Sequence, residues 1–463
     1  MNARAWTPQQ TAERALELCP TAGCLAIVTE ESEANIRWAN NSLTTDGVTA
    51  SRQVTVAVIV DKTGGLRVGV ASRRGAVADS LAELVDTARR VAEDAEPAED
   101  GQPLVAGPVD PHWTDPAPRT SMAAFADTAP ALGAAFDAAR GRGQLLYGYA
   151  EHRARSTFLA SSTGLRRRAD QCSGHLELTG KSGDRRRSAW AGAAGDLGPT
   201  AVTGLYEEVD RRLAWAGRQV ELPPGRYDTV LPPAAVGDLM NYVYWAAGGR
   251  EAAEGRTVYS APGGGTRVGS RLTDLPLTLR GDPAAPGLEC APFVLAPASD
   301  EIVSIFDNGL ALRPTAWIDA GVLRSLLHTR HSATLTGAPV TPHIDNLILE
   351  RPGAMATVDG LVAGVERGLL LTTLWYIREV DLATLLLTGL TRDGVYLVEH
   401  GEVVGAVNNF RFNESPVDLL ARVLDVGATE PTRAREWGDA FTHAAMPPLR
   451  VADFNMSSIS EAV

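Results

Sequence analysis

Three neighbouring stretches decide how the chain begins to fold: Cys24-Leu-Ala-Ile-Val-Thr-Glu30, Asn35-Ile-Arg-Trp-Ala-Asn-Asn-Ser-Leu43 and Gln53-Val-Thr-Val-Ala-Val-Ile-Val-Asp61. Rich in β-branched and aromatic residues, they fit a pleated, half-buried surface and read as strands. A fourth run, Leu66 to Ala71, follows the turn residues Gly64 and Gly65. Helices bracket the strands. In front, Thr7 can cap, Pro8 can open and Gln10 can complete a capping box, with Ala12, Ala15, Leu16 and Cys19 at helical spacing behind them. After the strands, Ser80 and Glu83 start a second helix with an apolar face of Leu81, Leu84, Val85, Ala88 and Val91. Residues 1–95 are therefore expected to form an N-terminal α/β domain.

Working outward, the composition changes between Glu93 and Pro118, where acidic residues interleave with Pro97, Pro103, Pro108 and Pro111. Residues 96–118 read as an acidic, Pro-rich linker. Residues 119–222 form a middle segment: a helix near Ala131 to Arg140, a long hairpin from Leu145 to Lys181 turning at Ser161 to Gly164, and a helix between Thr200 and Trp215. Pro223, Pro224 and Gly225 mark a further boundary. Residues 223–463 are β-rich, with strands expected at Tyr227 to Leu231, Leu277 to Leu279, Ala311 to Ile318, Asn346 to Glu350, Leu369 to Tyr376 and Gly394 to Glu399. Helical patterns fall at Pro233 to Trp245, Val322 to Leu327 and Val417 to Leu424.

At 463 residues, 44% hydrophobic and 21% charged, the chain can bury a large core without covalent staples. Its net charge of −13 argues against non-specific binding to nucleic acid or to an anionic membrane. Four cysteines, Cys19, Cys24, Cys172 and Cys290, make no disulfide framework and suit a reducing compartment. The opening MNARAWTPQQ has no apolar signal region, and no apolar run is long enough to span a bilayer, so a cytoplasmic location is expected.

The motifs narrow the chemistry. No His-Glu dipeptide occurs, so an H-E-x-x-H zinc helix is impossible, and neither G-x-S-x-G nor a phosphate-binding P-loop is present. Gly263 to Gly265 read as a flexible loop, and Cys19 and Cys24 as packing residues without the second ligand pair that zinc requires. His328 and His331 stand at i, i+3 with His343 nearby, but no carboxylate at helical spacing completes a ligand set, so surface or interface roles are favoured. The triplets Arg166 to Arg168 and Arg185 to Arg187 read as a solvated, charge-protected sheet edge; the functional alternative is a groove for an acidic peptide or a partner subunit, with Arg166 and Arg168 as contacts.

The segment Asn35 to Leu43, with Val54-Thr-Val-Ala-Val-Ile-Val60, Leu66-Arg-Val-Gly69 and the helix from Leu81 to Ala92, resembles the N-terminal domain of the TldD/PmbA (TldD/TldE) family. Later segments keep the same order: Tyr227-Asp-Thr-Val-Leu-Pro-Pro233, Phe306-Asp-Asn-Gly309, Gly321-Val-Leu-Arg324, Thr388 to Glu399 and Asn409-Phe-Arg-Phe-Asn-Glu-Ser415. The resemblance implies an α+β fold, with an N-terminal α/β domain and a C-terminal domain rich in antiparallel, barrel-like sheet. It also implies a cytoplasmic peptidase of two related subunits. One type carries a His-Glu-x-x-x-His zinc helix and a late cysteine ligand; the PmbA/TldE type lacks both.

Here the corresponding helix offers Asn241, Tyr242, Trp245 and Ala246 in the motif region, and no cysteine follows Cys290. None of these residues supplies the imidazole nitrogens zinc prefers. By this resemblance the chain is a non-catalytic subunit: no metal ligand or catalytic residue of its own, no cofactor of its own, zinc in a TldD-like partner, and an extended peptide as substrate. Core packing is the default reading of these aromatics, while Tyr244 and Trp245 are candidate peptide or partner contacts, because aromatics concentrate at interface cores. Two alternatives remain open. One is a stand-alone hydrolase or natural-product maturation protein, in which His328, His331, His343 and Cys290 would meet in space. The other is a homo-oligomeric scaffold.

Overall fold

The computed structural model describes residues 6–19, 23–75, 80–195, 197–392 and 394–460. The opening residues 1–5 and Asp393 of the 388–399 motif lie outside them. Helix α1 (Pro8–Leu18) begins with the reciprocal cap that its sequence encodes: Thr7 Oγ1 accepts the Gln10 N–H at 3.2 Å, and Gln10 Oε1 accepts the Thr7 N–H at 3.0 Å. Strands β1 (Gly23–Ala39), β2 (Ser42–Lys62) and β3 (Gly65–Arg74) follow, then α2 (Leu81–Asp94) and α3 (Thr128–Gly141). Strands β4 (Gln144–Ser161), β5 (Arg166–Ser182) and β6 (Ser188–Ala194) lead to α4 (Pro199–Trp215).

Two expectations for this half need correction. The run Asn35 to Leu43 is not one strand: Asn40 and Asn41, at φ 52° and 58°, form a two-residue hairpin turn of the primed kind, which requires positive φ at both positions. On α2, Val91 is 47% exposed, and Ala92 takes its place on the buried face.

The strands of residues 23–74 and 144–194 share one antiparallel sheet, ordered β3-β2-β1-β4-β5-β6, with β1 hydrogen-bonded to β4 along its length. The segment 96–118 thus joins two parts of one sheet. It is tied down by Arg168, whose guanidinium donates to the carbonyls of His112, Asp115 and Pro116 at 2.6–2.9 Å, and by Trp113, packed edge-on against Phe158. Helix α2 lies directly over β3 at Gly69, where a Cβ would stand 2.1 Å from the Ala88 carbonyl oxygen.

Alternation along the strands sorts the side chains. Even-numbered residues of β1, from Cys24 to Trp38, face the helices with Val54, Val56, Val58, Phe158 and Leu176. The odd-numbered face starts apolar, with Leu25 and Ile27 packing on Phe293, Ile305 and Phe306 of the C-terminal half. It turns polar at Thr29 and Glu31. That change, halfway along one strand, opens the space described below.

Residues beyond 218 form two further sheets among the described residues. The ten-stranded one is built around Leu449–Ile459, which pairs antiparallel with Gly225–Leu231 on one side and Phe410–Glu414 on the other. A six-stranded one contains Thr278–Gly281 and Leu347–Glu350. Most pairings are antiparallel; Gly225–Leu231 with Arg367–Leu371 is a parallel exception. The fold is α+β. The expected helix at Val322 to Leu327 is instead a strand, Val322–Leu323, turned back on Ile318 and Asp319 through Ala320 and Gly321, both at positive φ. The expected strand Leu369 to Tyr376 splits into Arg367–Leu371 and Trp375–Asp381, which lie apart in the sheet. No helix among the described residues is long and apolar enough to cross a membrane.

Candidate functional site

Helix α5 (Pro233–Trp245) starts just after the strand Gly225–Leu231, with Pro232 as its N-cap and Pro233 in its first turn. Its interior is nearly all buried, and Asp238, Asn241 and Tyr242 all bond to the loop at 435–437. Asp238 accepts the backbone N–H groups of Arg435, Glu436 and Trp437 at 3.0–3.2 Å. Burial nevertheless pushes this carboxyl up to about 7, outweighing those donors. Tyr242 OH donates to the Ile377 carbonyl and accepts from Trp437 Nε1 at 3.1 Å, while Asn241 Nδ2 reaches the Trp437 carbonyl at 3.5 Å. Trp245 meets Tyr242 and Trp437 edge-on, each with ring centroids 5.1 Å apart. Three of the four motif-region residues therefore converge on Trp437, and the fourth, Ala246, is buried at the C-cap. An amide, a phenol, an indole and a methyl group do not fit a zinc ion.

The other sequence candidates are placed as follows. Tyr244 is wholly buried, its hydroxyl bonded to both N–H and C=O of Ile344, so the peptide-contact reading gives way to core packing. Arg166 pairs with Glu13 at 2.6 Å and Arg168 with Asp170 at 2.8 Å. Both sit on the helix-facing side of β5, in the stretch beyond the reach of β6, so the edge expected there is present but not solvated: the two side chains are largely buried, with their donors engaged within the chain. The second triplet occupies the turn between β5 and β6, with Arg185 at φ 60°. The histidines do not meet. His328 is buried beside Ser332, His331 lies 3.8 Å from Glu99, and His343 stacks on Phe441. Among the described residues, no group of three or more His, Cys, Asp or Glu side chains is placed to hold one metal ion.

One polar space was not singled out from the sequence. Over the polar, odd-numbered face of the first sheet lies a cavity of about 330 Å³, walled by Thr29, Glu31, Gln53, Thr55, Arg155, Thr157 and Gln171 below and by Ala291, Leu295 and Asp345 above. A second cavity, of about 320 Å³, shares Ala291, Leu295 and Asp345 and adds Phe293, Ile302, Leu312, Asp300 and His343. Asp345 stands between Ile344 and Asn346, both fully buried, but is itself exposed, and it lines both spaces. Partial desolvation by the protein enclosing the cavity raises its pKa to about 6 against the opposing pull of Arg155. Arg155 itself is bound to Glu31 at 2.7 Å. Burial also holds His343 down at about 4, so it is neutral near pH 7. The legible signal was the switch from apolar to polar at alternate positions of β1; Asp345 carried none.

No curated protein matches the chain in sequence. Among solved structures it resembles TldE from Thermococcus kodakarensis, at a TM-score of 0.76 and 16% identity, covering 96% of this chain and 98% of that one. It also resembles proteins described as modulators of DNA gyrase. The one from Thermotoga maritima MSB8 has TM-score 0.70 and 17% identity, covering 97% and 100%. The one from Bacteroides thetaiotaomicron VPI-5482 has 0.71 and 16%, covering 97% and 98%. At these identities the likeness speaks for the fold. Residues 224–458 match the family described as the PmbA/TldA metallopeptidase C-terminal domain, and the chain belongs to that PmbA/TldD family.

Proposed function

We propose that the chain is a non-catalytic, PmbA/TldE-like subunit of a cytoplasmic, heteromeric zinc metallopeptidase that trims or degrades small peptides, its zinc carried by a TldD-like partner. The observation that carries this reading is the state of α5. Where the resemblance puts the metal-bearing motif, Asn241, Tyr242 and Trp245 are packed on Trp437. Metal-assisted hydrolysis needs an ion with an open coordination position and a base beside it, and these side chains provide neither. The polar cavity beside β1 and β4 supports a role in shaping the peptide chamber.

The test is purification of this chain alone and with a TldD-like protein from the same source, followed by metal analysis and a peptide-cleavage assay. Zinc and chelator-sensitive cleavage only in the mixed sample is the expected result. Cleavage by the chain alone would favour a stand-alone hydrolase. Failure to associate, combined with self-assembly, would favour a homo-oligomeric scaffold.

A further inference from the structure

Short, charged or covered edge strands are the usual defence of a sheet against a foreign strand, and most edges of this protein are finished in one of these ways. β3 carries Arg67, Arg73 and Arg74 and takes the Ala98 N–H on its Leu66 carbonyl, while Arg212 donates to the Trp190 carbonyl of β6. In the other two sheets the edge strands Gln219–Val220, Val322–Leu323 and Glu430–Pro431 are two residues long. The remaining one, Trp375–Asp381, has its Ile377 N–H closed by the Glu436 carboxylate at 2.9 Å. Residues 43–51 of β2 have none of these defences. β3 stops pairing at Gly75, whose N–H meets the Arg52 carbonyl at 2.9 Å, and no described strand continues beside β2 from there to the turn at Asn40 and Asn41. The stretch Leu-Thr-Thr-Asp-Gly-Val-Thr-Ala-Ser lies almost wholly exposed, lacks proline and basic residues, and keeps unbroken register with β1 from Thr45 onward.

The hydrogen bond at Arg52 fixes which groups face the open side. Alternation turns the N–H and C=O of Ala50 and Val48 the same way, with their side chains on the helix-facing surface. A cleft flanks the edge on each surface. The helix-facing one, of about 360 Å³, is lined by Glu30, Ser32, Ala50, Arg52, Pro118 and Arg119. On the opposite surface the polar cavity of about 330 Å³ reaches the same edge at Ser51 and Gln53. A strand laid beside β2 therefore sends alternate side chains into different clefts, which is how strand addition acquires sequence preference. In the helix-facing cleft Arg52 is spent on Glu30, and Arg119 is paired with no described carboxylate, so an acidic side chain suits that cleft better than a basic one.

We propose that residues 45–51 of β2 accept an extended peptide as an added antiparallel strand, with acidic side chains at alternate positions turned toward Arg119 and small polar ones toward the cavity beside β4. This deepens the peptide-processing reading and rests on it.

The test uses the full chain and heptapeptide probes in calorimetric titrations near pH 7.5. The first probe is acetyl-Thr-Glu-Thr-Glu-Thr-Glu-Thr amide, and its twin has Lys in place of Glu. Two further forms of the glutamate peptide carry N-methyl groups, one on the Glu nitrogens and the other on the Thr nitrogens. A residue directly opposite Val48 or Ala50 shares their surface and points its own N–H back at β2. Methylation of the Glu nitrogens should therefore abolish binding, methylation of the Thr nitrogens should leave it within threefold, and the lysine twin should bind at least tenfold more weakly. Val48→Pro removes an outward N–H and should weaken the glutamate peptide at least tenfold. Equal effects of the two methylation patterns overturn strand addition, equal binding of the lysine twin overturns the acidic preference, and no binding at all overturns the site. A chain that light scattering shows to be a dimer, dissociated by V48P, gives this edge to a second copy and overturns the peptide. The subunit reading is judged separately, by chelator-sensitive cleavage in the mixed sample. The methylated peptides need no variant, so the test holds even if V48P fails to fold.

Discussion

Replacing Tyr244 with Phe should be costly out of proportion to the single oxygen removed. The Tyr244 hydroxyl accepts the Ile344 N–H at 2.9 Å and donates to the Ile344 carbonyl at 3.1 Å, and both residues are fully buried. The ring itself would stay, edge-on against Trp317, Phe441 and His343. What changes is that one backbone donor and one acceptor lose their only nearby partner. Each orphaned group costs about 1–3 kcal/mol, and Phe sheds the cost of burying a hydroxyl, so the loss should be on the order of 2–4 kcal/mol. The control is Tyr227→Phe, whose hydroxyl bonds the Pro223 carbonyl at the surface and whose removal should stay within about 0.5 kcal/mol. Urea denaturation followed by tryptophan fluorescence compares the two. If Y244F proves as stable as Y227F, the Tyr244–Ile344 bridge does not hold the segment that presents His343 and Asp345, and the reasoning fails.

Asp238→Ala should free three backbone N–H groups of residues 435–437, accelerating their amide exchange and costing about 3 kcal/mol or more. Gly69→Ala would drive a methyl group into the backbone of α2 at 2.1 Å, so a soluble, fully cooperative variant would contradict the packing. The pH dependence has a definite sign. Burial holds His343 at about 4 and His175 at about 3, so between pH 6.5 and those values the unfolded chain takes up protons the folded chain refuses. Their contribution is complete above pH 6.5 and is lost as the pH falls. Asp238 runs the other way: with its pKa at about 7 in the folded state, its contribution is complete below about 4 and is lost as the pH rises to 7. Denaturation midpoints of H343F and D238N relative to the unmodified protein, measured from pH 4 to 8, should slope in opposite directions; parallel profiles would refute both assignments.

Local signals were legible where one residue settles a local geometry. The Thr7–Gln10 cap and the Pro233 start of α5 were visible because caps and first-turn prolines act within four residues. Asn40-Asn41 and Ala320-Gly321 were missed because adjacent apolar residues masked two-residue turns. Arg166 and Arg168 were misread because a basic triplet gives no hint that Glu13 and the carbonyls of residues 112–116 will fold over it. The cavity lay beyond reach for a related reason. Its floor combines strands more than a hundred residues apart, and its roof comes from segments near 291–295 and 345. The empty motif on α5 was visible as an absence of imidazoles, but the convergence of its side chains on Trp437 required the loop two hundred residues downstream.

The strand Leu449–Ile459 fills the middle of its sheet, between Gly225–Leu231 and Phe410–Glu414. During synthesis, therefore, Gly225–Leu231 emerges from the ribosome more than two hundred residues before one of its neighbours exists. The first sheet, by contrast, is complete once β6 has been made, and it can settle while the rest is still being translated. The nascent C-terminal half meanwhile carries an open, apolar gap, and a stall or cleavage before residue 449 would leave a template for unwanted strand pairing. Quality control of this protein is thus expected to hinge on this late-made central strand rather than on the long acidic segment that looks fragile in the sequence.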